Sequence, residues 1–337
     1  MSLLSVRNLS VTYRTAKGPV HAIDGVSFDL AKGETLGLVG ESGSGKTTIG
    51  KAILRLLPDG AIGSASQILL DGRNLLALTA REMEAIRGRH IGLIPQSAMN
   101  ALDPVQRIAK LIGEAMAAHG LAGTRGEADK RVAELFAKIG LDSLRRRHYP
   151  HMFSGGMRQR ATVALAFALE PEVIIADEPT TGLDVIVQAQ VLEELAKLVS
   201  ERGVTMIMIT HDIGVVSRAC RRIAVTYAGR IVETGPTTDV LKRPGHPYTM
   251  GLGNGVLGLR EARKEIVSIP GHPPRLDAPI TGCAFAPRCP FAADICRTMT
   301  PPLAEIAPGH ASACHFRDRA AELRPKAAEP STWGPDT

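Results

Sequence analysis

Aromatic side chains are scarce in this chain of 337 residues: one Trp, four Tyr and seven Phe, 4% of the total. Few stacking platforms are therefore on offer, so the net charge of +6 does not by itself argue for a nucleic-acid partner, and none is expected. No uninterrupted apolar run approaches about eighteen residues, so the chain is not expected to cross a membrane by itself. The N-terminus, "MSLLSVRNLSVTYR", lacks a basic segment leading into an apolar one, and no signal peptide is expected. Internal repeats are absent too. Cysteine occurs only five times, and a reducing compartment is the default, where clustered cysteines are more often metal ligands or redox groups than disulfides. What remains is ordinary globular composition, 44% hydrophobic and 22% charged. The densest basic run, Arg145 to Arg147, reads as a solvated helix end or loop.

Against this background the informative stretches are short. "TLGLV" (Thr35 to Val39) suits a buried strand, and "GESGSGKTT" (Gly40 to Thr48) follows it. The next run, "IGKAILRLL", puts Ile49, Ile53, Leu56 and Leu57 on one helical face, stopped by Pro58. Strand, glycine-rich loop and helix is the context of a phosphate loop. Gly40, Ser42, Gly43 and Gly45 let backbone N–H groups converge on phosphate oxygens, at a helix N-terminus that begins near Thr48. Lys46 would reach the β- and γ-phosphates of a nucleotide such as ATP, and the Thr47 hydroxyl would ligate Mg2+.

"VIIADEP" (Val173 to Pro179) is a second buried strand, ending in two carboxylates. Asp177 is placed to hold magnesium and Glu178 to deprotonate an attacking water. "VTMIMITHD" (Val204 to Asp212) is a third, and it delivers His211 to the end of its strand, where a γ-phosphate contact is expected. "FSGGMRQR" (Phe153 to Arg160) contributes Ser154, Gly155 and Gly156 at the start of another helix, a second anion site.

In this order, these motifs closely resemble the nucleotide-binding subunits of ATP-binding-cassette (ABC) transporters. The resemblance implies an α/β P-loop NTPase fold with a RecA-like core, a β-rich subdomain and an α-helical subdomain. It further implies a head-to-tail pair of ATPase subunits, identical or paralogous, in which the "SGG" of each covers the other's nucleotide. By position, Tyr13 would stack on adenine, and Gln96 in "IGLIPQ" would sense magnesium and water and couple to the membrane subunit. Asp184 of "TTGLD" would be the acid of the loop that crosses the dimer, where Gly182 stands in place of the usual alanine-like residue.

Along the chain, residues 1–250 read as the cassette, with a helical insertion at about 97–169; 251–275 as a linker; 276–320 as a small four-cysteine unit; and 321–337 as a tail. Hairpins are expected in "QILLDGRNL" (Gln67 to Leu75) and "AVTYAGRIVETG", turning at Ala228 to Arg230. "HPYT" (His246 to Thr249), "CAFAPRCPFA" and "QSAMNALDPV" (Gln96 to Val105) resemble the ATPases of oligopeptide, dipeptide and nickel importers. That likeness implies two transmembrane permease subunits, an indirect solute-binding protein outside the cell, and a peripheral position on the cytoplasmic face of the inner membrane. Nickel or another small solute is the alternative cargo; a soluble, non-transport ABC ATPase is the alternative class.

Cys283, Cys289, Cys296 and Cys314 are spaced C-x5-C-x6-C-x17-C, with Cys220 apart as an ordinary buried thiol. Disulfides, structural zinc and an iron–sulfur cluster compete for them, and His315 is available as a substitute ligand or donor. Pairs spaced for a zinc knuckle are missing, while wider loops suit a larger cubane. The importer subfamily resembled here includes members with a [4Fe–4S] cluster at this pattern.

Overall fold

The computed structural model describes residues 2–96, 101–257 and 268–334, so 97–100 of the "QSAMNALDPV" stretch and 258–267 of the expected linker lie outside it. The chain forms two compact units, one of Met1–Leu4, Leu30–Thr35 and Leu70–Ile209, the other of Ser5–Asp29, Leu36–Leu69 and Thr210–Thr337.

In the first unit, strands Ile91–Ile94, Val173–Asp177 and Thr205–Thr210 pair in parallel, with Ile91 opposite Val173 and Asp177 opposite Ile209. Their side chains are almost all buried, which is why they read as unbroken apolar runs rather than alternating ones. Helices Ile108–Ala118, Arg125–Lys138, Gly155–Phe167 and Val185–Arg202 supply the rest of the core. Thr124 and Glu127 form a reciprocal capping box at one N-terminus, and Gly203 ends the last helix at a φ of 60°. The run of three arginines is a 3-10 turn, Ser143–Arg147, rather than an open basic patch. Its middle member, Arg146, is buried and grips Asp129 through Nε (2.9 Å) and Nη2 (2.6 Å), which holds the Asp129 carboxyl below its usual range.

The second unit carries a β-rich layer in which Ser2–Thr15 lies between Gly18–Ala31 and Gln67–Leu70. A second sheet begins with Thr35–Val39 parallel to Arg222–Tyr227 and continues antiparallel into Arg230–Pro236. The turn between the last two is Ala228–Gly229, both at positive φ (48° and 78°), and Arg230 already pairs with Tyr227. His310–Ser312 adds to this sheet, Glu233 facing Ser312, and Ala304–Ala307 pairs outside it. The four-cysteine region is therefore hydrogen-bonded into the sheet.

Two boundaries differ from the sequence expectation. A helix, Pro247–Leu257, runs through the start of the expected linker; its leading proline lacks only an N–H that a first turn leaves unbonded anyway. The expected tail begins with helix Ala320–Ala327 and continues to a buried Trp333, whose Nε1–H donates to Ala327 O at 2.9 Å. The Pro- and Ala-rich composition concealed that single aromatic anchor.

Candidate nucleotide site and cysteine unit

The phosphate loop lies in the second unit. Gly45 caps helix Lys46–Ile53 at a φ of 98°, and a Cβ there would lie 2.7 Å from Ala22 O, so glycine is required both by conformation and by space. At Gly40 a Cβ would lie 2.1 Å from Thr226 O, whereas Gly43 (φ 81°) has nothing within 4 Å and lies at the surface with Ser42. Lys46 is buried, its Nζ donating to Gly40 O (2.7 Å), Glu41 O (2.8 Å) and Ser44 Oγ (3.3 Å). Thr47 and Thr48 are half-buried in the first turn, and the Tyr13 hydroxyl lies 3.3 Å from Thr48 Oγ1, which brings the expected adenine partner to the loop. His211 is exposed directly after strand Thr205–Thr210, and Asp212 caps the following helix, Ile213–Ala219, by accepting from Gly214 N at 2.7 Å.

In the first unit, Asp177 is buried at the end of its strand and Glu178 follows at a φ of 45°, a conformation that costs an L-residue about 1–2 kcal/mol. The Glu178 N–H donates to Ile209 O at 2.7 Å and fixes this corner. Two side chains converge on Glu178 Oε2: Gln96 Nε2 at 3.0 Å and Thr181 Oγ1 at 2.8 Å. Gln96 and Glu178 were expected from the sequence, but Thr181 was missed; its signal was a hydroxyl three residues after a strand-end acid. Ser154 caps helix Gly155–Phe167 by accepting from Met157 N at 3.4 Å. A Cβ on Gly156 would lie 2.4 Å from Val187 Cγ1, so this helix start packs against Val185–Arg202 at a distance only glycine permits. Asp184 caps that second helix by accepting from Val187 N at 3.0 Å, after Gly182 at a φ of 81°.

The second unit offers a hydroxyl (Thr47), and the first a carboxylate (Asp177) and an amide oxygen (Gln96); each is a hard oxygen ligand of the kind magnesium takes. The cysteines offer sulfur. All five are free thiols; burial pushes Cys289 up to about 12, Cys314 up to about 11 and Cys220 up to about 12, and raises Cys283 as well. Cys283, Cys296 and Cys314 all lie within electrostatic reach of Cys289. Backbone N–H groups point at the sulfurs, from Phe285 and Ala286 to Cys283, from Phe291 to Cys289 and from Phe316 to Cys314 (3.4 Å). Thiols that accept from backbone N–H groups suit an anionic metal–thiolate group in their chemistry. Their geometry is not that of a coordination shell. Among the described residues, no three His, Cys, Asp or Glu side chains are grouped so that they could hold one ion. His315 Nε2 lies 2.8 Å from Met299 O, so the expected substitute ligand is engaged with a carbonyl.

Residues 23–181 match the family model described as ABC transporter, and 232–296 the model described as Oligopeptide/dipeptide transporter, C-terminal region. The "Probable peptide ABC transporter ATP-binding protein y4tR" of Sinorhizobium fredii is 45% identical over 316 residues, 93% of this chain and 94% of that protein. The dipeptide transport ATP-binding protein DppD of Lactococcus lactis is 44% identical over 91% of this chain and 89% of its own length. Among solved structures, the dimeric post-hydrolysis state of the ATP-binding cassette MJ0796 bound to ADP and Pi is 27% identical with a TM-score of 0.62, covering 69% of this chain and 98% of that one. The cbiO1 protein of Clostridium perfringens, part of the ABC transporter complex cbiONQ, gives 25% and 0.63, covering 78% and 99%. The chain belongs to the ATP-binding subunits of ABC transporters, in the branch that carries the oligopeptide/dipeptide C-terminal region.

Proposed function

We propose that this chain hydrolyses ATP to energise import of di- and oligopeptides through a membrane ABC transporter. The observation that carries the proposal is the Glu178 carboxylate, held at a strand end by Gln96 and Thr181 next to Asp177. That arrangement suits a base that must meet one water in one direction. Glu178 takes the proton of the attacking water, whose oxygen bonds the γ-phosphorus as the bond to the β-phosphate oxygen breaks. Lys46 and the backbone N–H groups after Gly43 hold the phosphates, and His211 contacts the γ-phosphate. Thr47, Asp177 and Gln96 would hold Mg2+, which neutralises charge on the transferring group. Tyr13 would stack on the adenine.

The Ser154–Gly156 helix start and Asp184 serve the nucleotide of a second ATPase subunit in this proposal. Val185 and Ile186, 82% and 72% exposed beside Asp184, supply apolar contact for that partner. Val105, Leu144 and Met152 are exposed apolar side chains of the helical region, available to the two permease subunits, which place the chain on the cytoplasmic face of the inner membrane. A solute-binding protein outside the cell would act on it only through the permease. Cys283, Cys289, Cys296 and Cys314 would hold a [4Fe–4S] cluster; the absence of a pair at zinc-knuckle spacing supports this over zinc.

The test mixes a Ser154→Arg subunit with a Lys46→Ala subunit. One intact composite site should restore part of the ATP turnover that each variant lacks alone, and turnover should rise with protein concentration. Full activity independent of concentration contradicts the paired arrangement. For the cysteines, anaerobic protein should be brown with about four irons per chain. Colourless protein with stoichiometric zinc and no acid-labile sulfide refutes the cluster.

A further inference from the structure

Glu41, the second residue of the phosphate loop, is held at every polar group by residues far along the chain or by the loop's own lysine. Its carboxylate accepts from both arms of Arg288, Nη1 to Oε2 at 2.7 Å and Nη2 to Oε1 at 3.1 Å. The Glu41 N–H donates to the Tyr248 hydroxyl oxygen at 2.8 Å, and its carbonyl accepts from Lys46 Nζ at 2.8 Å. Arg288 comes from the middle of "CAFAPRCP", in the 3-10 turn Ala286–Arg288 between Cys283 and Cys289.

This arginine is not a surface ion-pair partner. Its side chain is 7% exposed, and its remaining donors reach Pro270 O (2.8 Å), Ile269 O (3.4 Å) and the Tyr227 hydroxyl (3.2 Å). The guanidinium also lies 5.8 Å from the Tyr227 ring centroid and 5.9 Å from that of Phe285. Tyr227, Tyr248 and Phe285 pack mutually at 4.6–5.3 Å, and Trp333 closes on Phe285 at 6.5 Å. Four of the chain's few aromatics thus surround one contact between the cysteine unit and the phosphate loop. A planar, bidentate guanidinium fixes the orientation of the carboxylate as well as its position.

We propose that Arg288 is a positioning residue through which the four-cysteine unit holds Glu41, and with it the Lys46 end of the phosphate loop, in the nucleotide-binding conformation. By linkage, bound nucleotide then favours the docked Arg288–Glu41 arrangement by the same factor. The inference rests on the reading of the loop as the ATP site.

The test uses the full-length chain, with fluorescent ATP analogue titrations and steady-state hydrolysis. Arg288→Met should weaken MgATP binding on the order of 10-fold and raise KM in parallel, with kcat little changed. Arg288→Lys, which keeps charge without the fork, should recover only part of the affinity. Glu41→Gln leaves Arg288 in place, covers the case in which Arg288→Met fails to fold, and should show the same KM effect. The double variant should be no worse than either single one. In wild type, MgATP should slow amide hydrogen exchange across residues 283–289, and in Glu41→Gln that protection should be lost. Lys46→Ala is the control: if it binds ATP as wild type does, the ATP-site reading itself fails. If Lys46→Ala loses binding while both Glu41→Gln and any folded Arg288 variant bind normally, the positioning role is overturned and the ATP site stands.

Discussion

Replacing Glu178 by glutamine removes a charge and little else. Gln96 Nε2 and Thr181 Oγ1 both donate to Oε2, at 3.0 and 2.8 Å, and a glutamine carbonyl oxygen can accept from both in the same place. The backbone stays in its left-handed conformation, fixed by the bond to Ile209 O. Fold and nucleotide affinity should therefore persist while the proton acceptor is lost. A positioned general base contributes about 10²–10⁴ in rate, equivalent to about 3–5 kcal/mol on the barrier. Phosphate release at saturating MgATP should fall by that factor, with ATP affinity unchanged and an ATP-loaded dimer accumulating. Thr181→Val gives an intermediate case: it removes one hydrogen bond to a charged group, about 1.5–3 kcal/mol, so kcat should drop about 10- to 100-fold with KM preserved. Turnover in Glu178→Gln near the wild-type rate would refute the assignment of the base.

Other perturbations follow from packing and burial. Gly156→Ala forces a Cβ to within 2.4 Å of Val187 Cγ1, and overpacking of this kind should lower stability by about 1–3 kcal/mol in chemical denaturation. Trp333→Ala removes a buried anchor and its bond to Ala327 O; a loss of about 3–5 kcal/mol and early proteolysis after Ala320 are expected. His246 is buried and its pKa is pushed down from 6.5 to about 3, so it folds neutral. The unfolded chain takes up its proton first, so this contribution is complete above pH 6.5 and is lost as pH falls towards 3; a His246→Gln variant should show a flatter stability profile across that window.

What could be read from the sequence was whatever chemistry is contiguous. The phosphate loop, the strand ending in Asp177 and Glu178, and the Ser154 helix start each fit within a few residues, and short-range rules of turns and caps suffice for them. Gln96 and Glu178, 82 residues apart, were joined only through family resemblance, and the structure supplies the bond between them. The Arg288–Glu41 contact spans 247 positions, and no periodicity or spacing couples them. A clue did exist: one arginine embedded between two cysteines in an otherwise apolar segment, where a buried charge requires a partner. The tail was misread for the converse reason, since composition averages away a single tryptophan. The hairpin turn at Ala228–Gly229 was placed one residue too long, because a left-handed alanine carries no sequence signal.

The central claim, that ATP turnover by this chain drives peptide uptake, is tested most directly by co-purifying it with its membrane subunits in mild detergent. The complex is then sealed into vesicles and uptake of labelled di- and oligopeptides is followed with the peptide-binding protein present. Uptake should require MgATP on the face carrying this chain, and it should vanish with Glu178→Gln although the complex stays assembled. Peptide uptake that persists in Glu178→Gln, or ATP turnover by a wild-type chain that captures no membrane subunit, would contradict it.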